Sequence, residues 1–566
     1  MSSKSIFSTS FIRLSLIHKP VFLLALIFLI TASFWGLDFS ISSTVQASES
    51  DVLIRELHSD PQFLNPVLTD DYPSQLVERL IFDPLIDIDG SPESNPVGRL
   101  AEKWAVSEDK LAITFFLRQN ITWHDGKQFS ADDVKFTFDI AMMKEIPAVG
   151  MKSTVDTLRK VEVTDPHTVI FHFKHPFSPG LLGVGRKLIV PKHLLDAGGL
   201  ANESSQKKSS VTFVTTDFNQ NPVGTGPYTV QQWQKGQHIK LGRNEEYWDK
   251  KHLPQIKTIL IKIVRSRQHG FTMVAKGDLD IFNTLPEQYL QFQKVSKLQQ
   301  KLVDEKFYEP AYYFIAWNVR PEKLFFSDKQ VRQAMTYATD RETFLKNAEA
   351  GLGQIVTGPF YFKSWAYNHS LKPYPFDLKK AAELLDSAGW QDRDGDGIRD
   401  KEGVPFTFEL LIASGRPRYK NMATILQDNL KKLSVELFIS EVEWSTYLER
   451  LNKGQFYAYV GGWSMGVDPD PYMKWHSSQI YRGANNIGYE NDEVDTLLEQ
   501  ARSEYDRQKR IKAYWRIHEI IHDEQPHTFI HTPMEIYIMS KKIKNYQISP
   551  FGFYEFFPGT LTWTVE

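Results

Sequence analysis

Between Phe115 and Asp139 the sequence writes a strand, a tight turn and a capped helix in quick succession. Ile113, Phe115 and Leu117 alternate with Thr114, Phe116 and Arg118, a period of two with one apolar side. Asp125-Gly126 then turns the chain, because glycine takes the positive φ that tight turns need. Ser130 stands three residues before Asp133 and just ahead of an apolar run, a capping-box-like start with Asp in place of the usual Glu or Gln. Val134, Phe138 and Ala141 recur at helical spacing. A chain built this way makes α/β layers.

The second half repeats the lesson. Ser327 or Asp328 caps a helix with Val331, Met335 and Ala338 on one face, and Asp377 to Gly389 is another capped helix, ended by its glycine. Phe406 to Ile412 reads as a strand, Asn421 to Leu433 as a helix and Val435 to Ile439 as a strand. That β–α–β order predicts parallel pairing. Val161 to Phe173 predicts a hairpin around Asp165-Pro166, and Ser204 to Ser210 an exposed polar loop.

At 566 residues the chain holds roughly three or four domain-sized units. Its 66 Lys+Arg nearly balance 69 Asp+Glu, and no basic block stands out, so nucleic acid is not an expected partner. Lys4 and Arg13 precede a wholly apolar run, Val21 to Ile30, and Val45-Gln46-Ala47 resembles a signal-peptidase site. The reading is a signal peptide over 1–47, cleaved after Ala47; a cut near Ala32, or an uncleaved anchor over 21–37, are the alternatives. There is no cysteine, hence no disulfide, no thiolate metal site and no lipid-bearing N-terminal Cys. A free periplasmic protein of a bacterium with two membranes follows as the expectation.

Two motifs suggest metals. His518-Glu519-Ile-Ile-His522 has the H-E-x-x-H form of zinc hydrolases, with Glu535, His527 or His531 as a third ligand. It also simply ends an amphipathic helix closed by Pro526, which is the preferred reading. Asp392, Asp394, Asp396 and Asp400 fit positions 1, 3, 5 and 9 of a calcium loop with Gly397 at position 6. Position 12 is Gly403 rather than Glu, and Val404-Pro405 leads into a strand, so a solvated turn is preferred. Neither a metal nor a cofactor is expected.

Several segments then carry a resemblance in order along the chain: Leu64-Asn65-Pro66 to Tyr72, Pro96 to Trp104, Leu117 to Phe138, Asn221-Pro-Val-Gly-Thr-Gly-Pro-Tyr228, Ala275 to Ile281, Gly461 to Pro471 and Asn486 to Leu498. Together they resemble bacterial extracellular solute-binding protein family 5, the peptide-, dipeptide- and nickel-binding receptors of ABC importers. The resemblance implies a type II periplasmic binding protein: two α/β lobes joined by a hinge, with an extra subdomain. The implied division is 48–85 plus 212–305 plus 535–566 for lobe I, 86–211 for its inserted subdomain and 306–534 for lobe II.

The resemblance also implies the site and the role. A monomer captures a small solute, here expected to be a short peptide, between the lobes and delivers it to an inner-membrane permease. No enzyme chemistry is implied; a ligand-sensing receptor uncoupled from transport is the other non-enzymatic reading. The early loop places Asp70 and Tyr72 along the cleft. Arg416 matches an arginine that clamps a peptide carboxylate, a job suited to its planar fork. Trp463 belongs to the cleft loop, where peptide binders carry an ammonium-pairing Asp three residues later. Here that position is Gly466, so Asp468 and Asp470 become the expected substitutes.

Overall fold

The computed structural model describes residues 51–196, 213–480 and 483–566. The proposed leader and the 204–210 loop lie outside them. Among the described residues no helix is long and apolar enough to cross a membrane.

Two large hydrophobic cores organise the molecule. The first gathers side chains from Leu53 to Ile281 and again from Tyr537 to Val565; the second runs from Tyr312 to Ile530. We call the halves built on them lobe I and lobe II. In lobe I, Val52–Leu57 pairs in parallel with Thr258–Ile263 on one side and Ile281–Thr284 on the other. In lobe II, Thr407–Ala413 pairs in parallel with Glu436–Val442 across the helix Pro417–Lys431, the crossover that the β–α–β order dictates.

One sheet nevertheless spans both lobes. The 14-residue strand His527–Ser540 pairs with Ala311–Trp317 at its start and with Ile281–Thr284 at its end. Beside it, Leu302–Tyr308 pairs along the same strand, and Glu309-Pro310 links to Ala311–Trp317. The backbone N–H of Glu309 donates to the Pro533 carbonyl at 3.0 Å. These two antiparallel crossings form the hinge.

The Phe115–Asp139 unit sits in a four-stranded antiparallel sheet of order Ala101–Val106, Ala112–Leu117, Thr168–Phe173, Leu158–Asp165. Ile113, Phe115 and Leu117 all point inward. Gly126 has φ +82°, and the Ser130 N–H donates to Asp133 Oδ2 at 2.9 Å, the returning half of the capping box. Helix Ala131–Met142 presses Phe138 onto Phe171, ring centroids 4.8 Å apart. Gly224 and Gly226 precede the hairpin Tyr228–Gln234/His238–Arg243, and their φ values are not positive. Their use is close approach: a Cβ on Gly224 would lie 1.8 Å from the Ile81 carbonyl oxygen.

Candidate functional site

A cavity of about 590 Å³ lies where the lobes meet, within the size range of small-ligand sites. Lobe I supplies the carboxyl ends of Val52–Leu57 and Ile281–Thr284, the usual binding end of parallel strands, through Arg55, Glu56 and Asn283. The loop before helix Tyr72–Ile81 adds Asp70, and the helix adds Tyr72 and Gln75. Lobe II supplies Ser464 to Val467, with Gly466 on the cavity wall. The hinge supplies Glu309, Pro310 and Glu535.

On the rim the lobes touch directly. The Ser178 N–H donates to the Arg502 carbonyl at 2.7 Å, the Tyr505 hydroxyl donates to the Phe177 carbonyl at 3.2 Å, and Arg507 donates to the Glu93 carbonyl at 2.6 Å. The conformation is therefore closed.

Charges inside the cavity divide into paired and unpaired. Arg186 is held by Asp87 and Glu555, and Arg267 donates to Asn283 and lies 3.8 Å from Glu56. Glu535 accepts from Asn283, yet neither it nor Glu309 has an ion-pair partner within 4.0 Å among the described residues. Burial, then the neighbouring Glu535 and Glu349 charges, push Glu309 up to about 7, against the pull of Arg418. Burial likewise raises Glu535. Arg418 is already committed, forked onto Glu349 at 2.5 and 3.1 Å.

Of the residues expected on a ligand, Asp70 and the half-exposed Tyr72 line this cavity. The others stand elsewhere. Asp468 takes a two-pronged bond from Arg510 at 2.7 and 2.9 Å and lines an adjoining recess of about 190 Å³. Asp470 accepts from Arg502 Nε at 2.9 Å and from the Tyr472 N–H. Trp463 lies beside Phe314, ring centroids 6.3 Å apart, with the Lys474 ammonium 5.1 Å from its ring. Arg416 is an exposed N-cap residue whose guanidinium lies 4.6 Å from the Trp444 ring. The helix expected from Asn421 begins four residues earlier, at Pro417, whose fixed φ already suits the first helical turn.

The zinc motif is on a helix, Arg507–Glu524, but its histidines are spent on protein. His518 is fully buried; its Nε2 meets Thr357 Oγ1 at 3.0 Å and its Nδ1 accepts the Asn368 N–H at 3.2 Å. Burial beside His522 holds it down to about 3. His522 Nδ1 bonds the Thr357 carbonyl, and Glu519 accepts from Asn368. The suggested third ligands are dispersed: His527 stacks on Phe314 at 4.0 Å, His531 lies 3.5 Å from Glu349, and Glu535 faces the cleft. Asp392, Asp394 and Asp396 do bring carboxylate oxygens within 4.8 Å of one another, on an exposed turn. Their oxygens accept the turn's own N–H groups, and Asp400 is bound instead to Arg393.

The sequence pattern described as bacterial extracellular solute-binding proteins, family 5 Middle, matches residues 95–482. The chain belongs to this family. Among its relatives is the oligopeptide-binding protein AppA of Bacillus subtilis (strain 168), 32% identical over 502 residues, which are 87% of this chain and 88% of AppA. The structure of AppA in complex with a nonapeptide superposes with a TM-score of 0.73 at 30% identity, covering 91% of this chain and 99% of that one. NikZ from Campylobacter jejuni, solved with Ni(L-His), gives 0.74 at 25% identity over 91% and 99%. The fold is that of type II periplasmic binding proteins, and family 5 members are binding proteins rather than enzymes. The zinc-hydrolase alternative has no support in either the comparisons or the geometry.

Sequence reasoning missed Arg55 and Glu309 and met Glu535 only as a metal ligand. One signal was present: an arginine set in the otherwise apolar start of VLIREL.

Proposed function

We propose that this family 5 protein captures short peptides in the interlobe cavity and delivers them to an ABC permease. The leader 1–47 exports the chain to the periplasm and is cleaved there after Ala47. The observation that carries the reading is the pair of unpaired carboxylates, Glu309 and Glu535, on the cavity wall at the hinge. A ligand ammonium placed between them relieves their mutual repulsion and their desolvation together. The same position keeps the ammonium away from Asp468 and Asp470, which their arginines already satisfy. Relatives named for oligopeptide binding support the choice of peptide.

The test is titration calorimetry with tetra-alanine and its N-acetyl form. Tetra-alanine is expected to bind, and acetylation to weaken it at least about tenfold, the low end for removing one partner of a desolvated charge pair. Absence of binding by tetra-alanine and by a panel of two- to five-residue peptides rejects the peptide reading.

A further inference from the structure

Among the described residues Arg55 is a buried arginine without an ion-pair partner. It lies in Val52–Leu57, between Ile261 and Ile281 of the flanking parallel strands, and is only 6% exposed. No carboxylate comes within 4.0 Å of it among the described residues, and its buried Nε has no hydrogen-bond acceptor. Its one ring contact among the described residues is Tyr554, whose centroid is 4.4 Å from the guanidinium carbon. A ring face compensates a desolvated cation only in part, and arginine cannot shed its proton to escape the cost. The Tyr554 hydroxyl is likewise buried and unpaired. Both residues line the interlobe cavity.

We propose that Arg55 and Tyr554 form the site in lobe I that takes a carboxylate of the ligand. The guanidinium fork matches the two oxygens of a carboxylate, and the tyrosine hydroxyl donates to the same group. The other cavity arginines do not compete, since Arg186 and Arg267 are already engaged. This inference rests on the peptide reading in one respect: there the carboxylate is the peptide C-terminus. With Arg55 at the carboxyl end of a lobe I strand and Glu309 and Glu535 at the hinge, a ligand that engages both is dipolar.

The experiment uses the full mature protein as wild type, Arg55→Met and Arg55→Lys. The probes are tetra-alanine, tetra-alanine amide, succinate and succinamide, each titrated calorimetrically. Wild type is expected to prefer tetra-alanine over its amide by about thirtyfold or more. In Arg55→Met that preference falls to within about threefold, and Arg55→Lys recovers part of it. The unliganded melting temperature of Arg55→Met is expected to equal or exceed that of wild type, because an unpaired buried charge has been removed. A purely structural arginine would lower it; should Arg55→Met not fold, Arg55→Lys reads the acid-over-amide ratio, and a ratio unchanged from wild type there overturns the proposal.

The arms separate the two claims. Tetra-alanine bound equally as acid and amide keeps the peptide reading and overturns the Arg55 site. Succinate bound more tightly than succinamide, with the preference lost in Arg55→Met and no peptide binding, keeps the Arg55 site and rejects peptides. Binding of no probe overturns both.

Discussion

Arg99 offers the sharpest test of how lobe I holds together. It is 3% exposed and ties together four stretches of chain. Its Nη2 donates to Asp83 Oδ1 at 3.1 Å and to the Tyr247 hydroxyl, and its Nη1 to Asp249 Oδ2 at 2.9 Å. The guanidinium also lies 3.9 Å from the Phe557 ring centroid. Asp83 in turn accepts from Tyr247, Trp248 and Thr225. Replacing Arg99 with Met keeps the packing volume but leaves two buried carboxylates without their cation. Breaking a buried pair from one side costs about 3–5 kcal/mol. At roughly 2–4 °C per kcal/mol for a large domain, the lobe I melting midpoint falls by about 6–20 °C. Urea unfolding followed by tryptophan fluorescence reads it directly, since Trp248 packs against the cluster. Adding Asp83→Asn to Arg99→Met removes one orphan charge and should recover about half the loss. A single-variant loss below about 1 kcal/mol, or no recovery in the double variant, refutes the argument that charge compensation, not packing, makes Arg99 matter.

Three further outcomes are expected. Glu309 near 7 holds its proton at pH 5 and releases it by pH 8, so tetra-alanine affinity should rise about tenfold or more across that window and rise less in Glu309→Gln. Because its folded value lies above the unfolded 4.5, Glu309 should cost the unliganded protein stability as pH rises from about 4.5 to 7, and Glu309→Gln should reduce that slope in urea melts. Arg507→Ala deletes a rim bond between the lobes and should speed ligand dissociation about fivefold in stopped-flow measurements with little change in association. His518→Ala should cost about 1–3 kcal/mol of stability by orphaning the Asn368 N–H, while metal analysis of wild type finds no stoichiometric zinc; stoichiometric zinc lost in the variant would reverse that assignment.

Local chemistry made much of the fold legible. Ser130, Gly126 and the Ile113/Phe115/Leu117 alternation behave as their types require, and Asp377 caps Leu378–Ser387 while Gly389 takes φ +87° beyond it. These are short-range effects, carried by residues a few positions apart. The site was less legible because its chemistry lies in pairings over long separations. Nothing near Asp468 or Asp470 announces that Arg510 and Arg502 will claim them from 42 and 32 residues away. Arg416 matches a carboxylate clamp by its place after a strand, but Pro417 begins a helix one residue later and leaves Arg416 exposed at its N-cap. Conversely, Arg55 earned no notice as a charge in a strand, and its meaning comes from what fails to reach it.

The split membership of the first core sets an order of assembly. Lobe II is one continuous stretch, from Tyr312 to Ile530, and has all its parts before the chain is finished. Lobe I is not: Tyr537, Met539, Phe553, Trp563 and Val565 complete a core that begins at Leu53. The lobe I core is therefore complete only once the last thirty or so residues are made, whereas its four-stranded sheet has all its strands by Phe173. A nascent chain stalled before Tyr537 would present a folded second half and an unclosed first half.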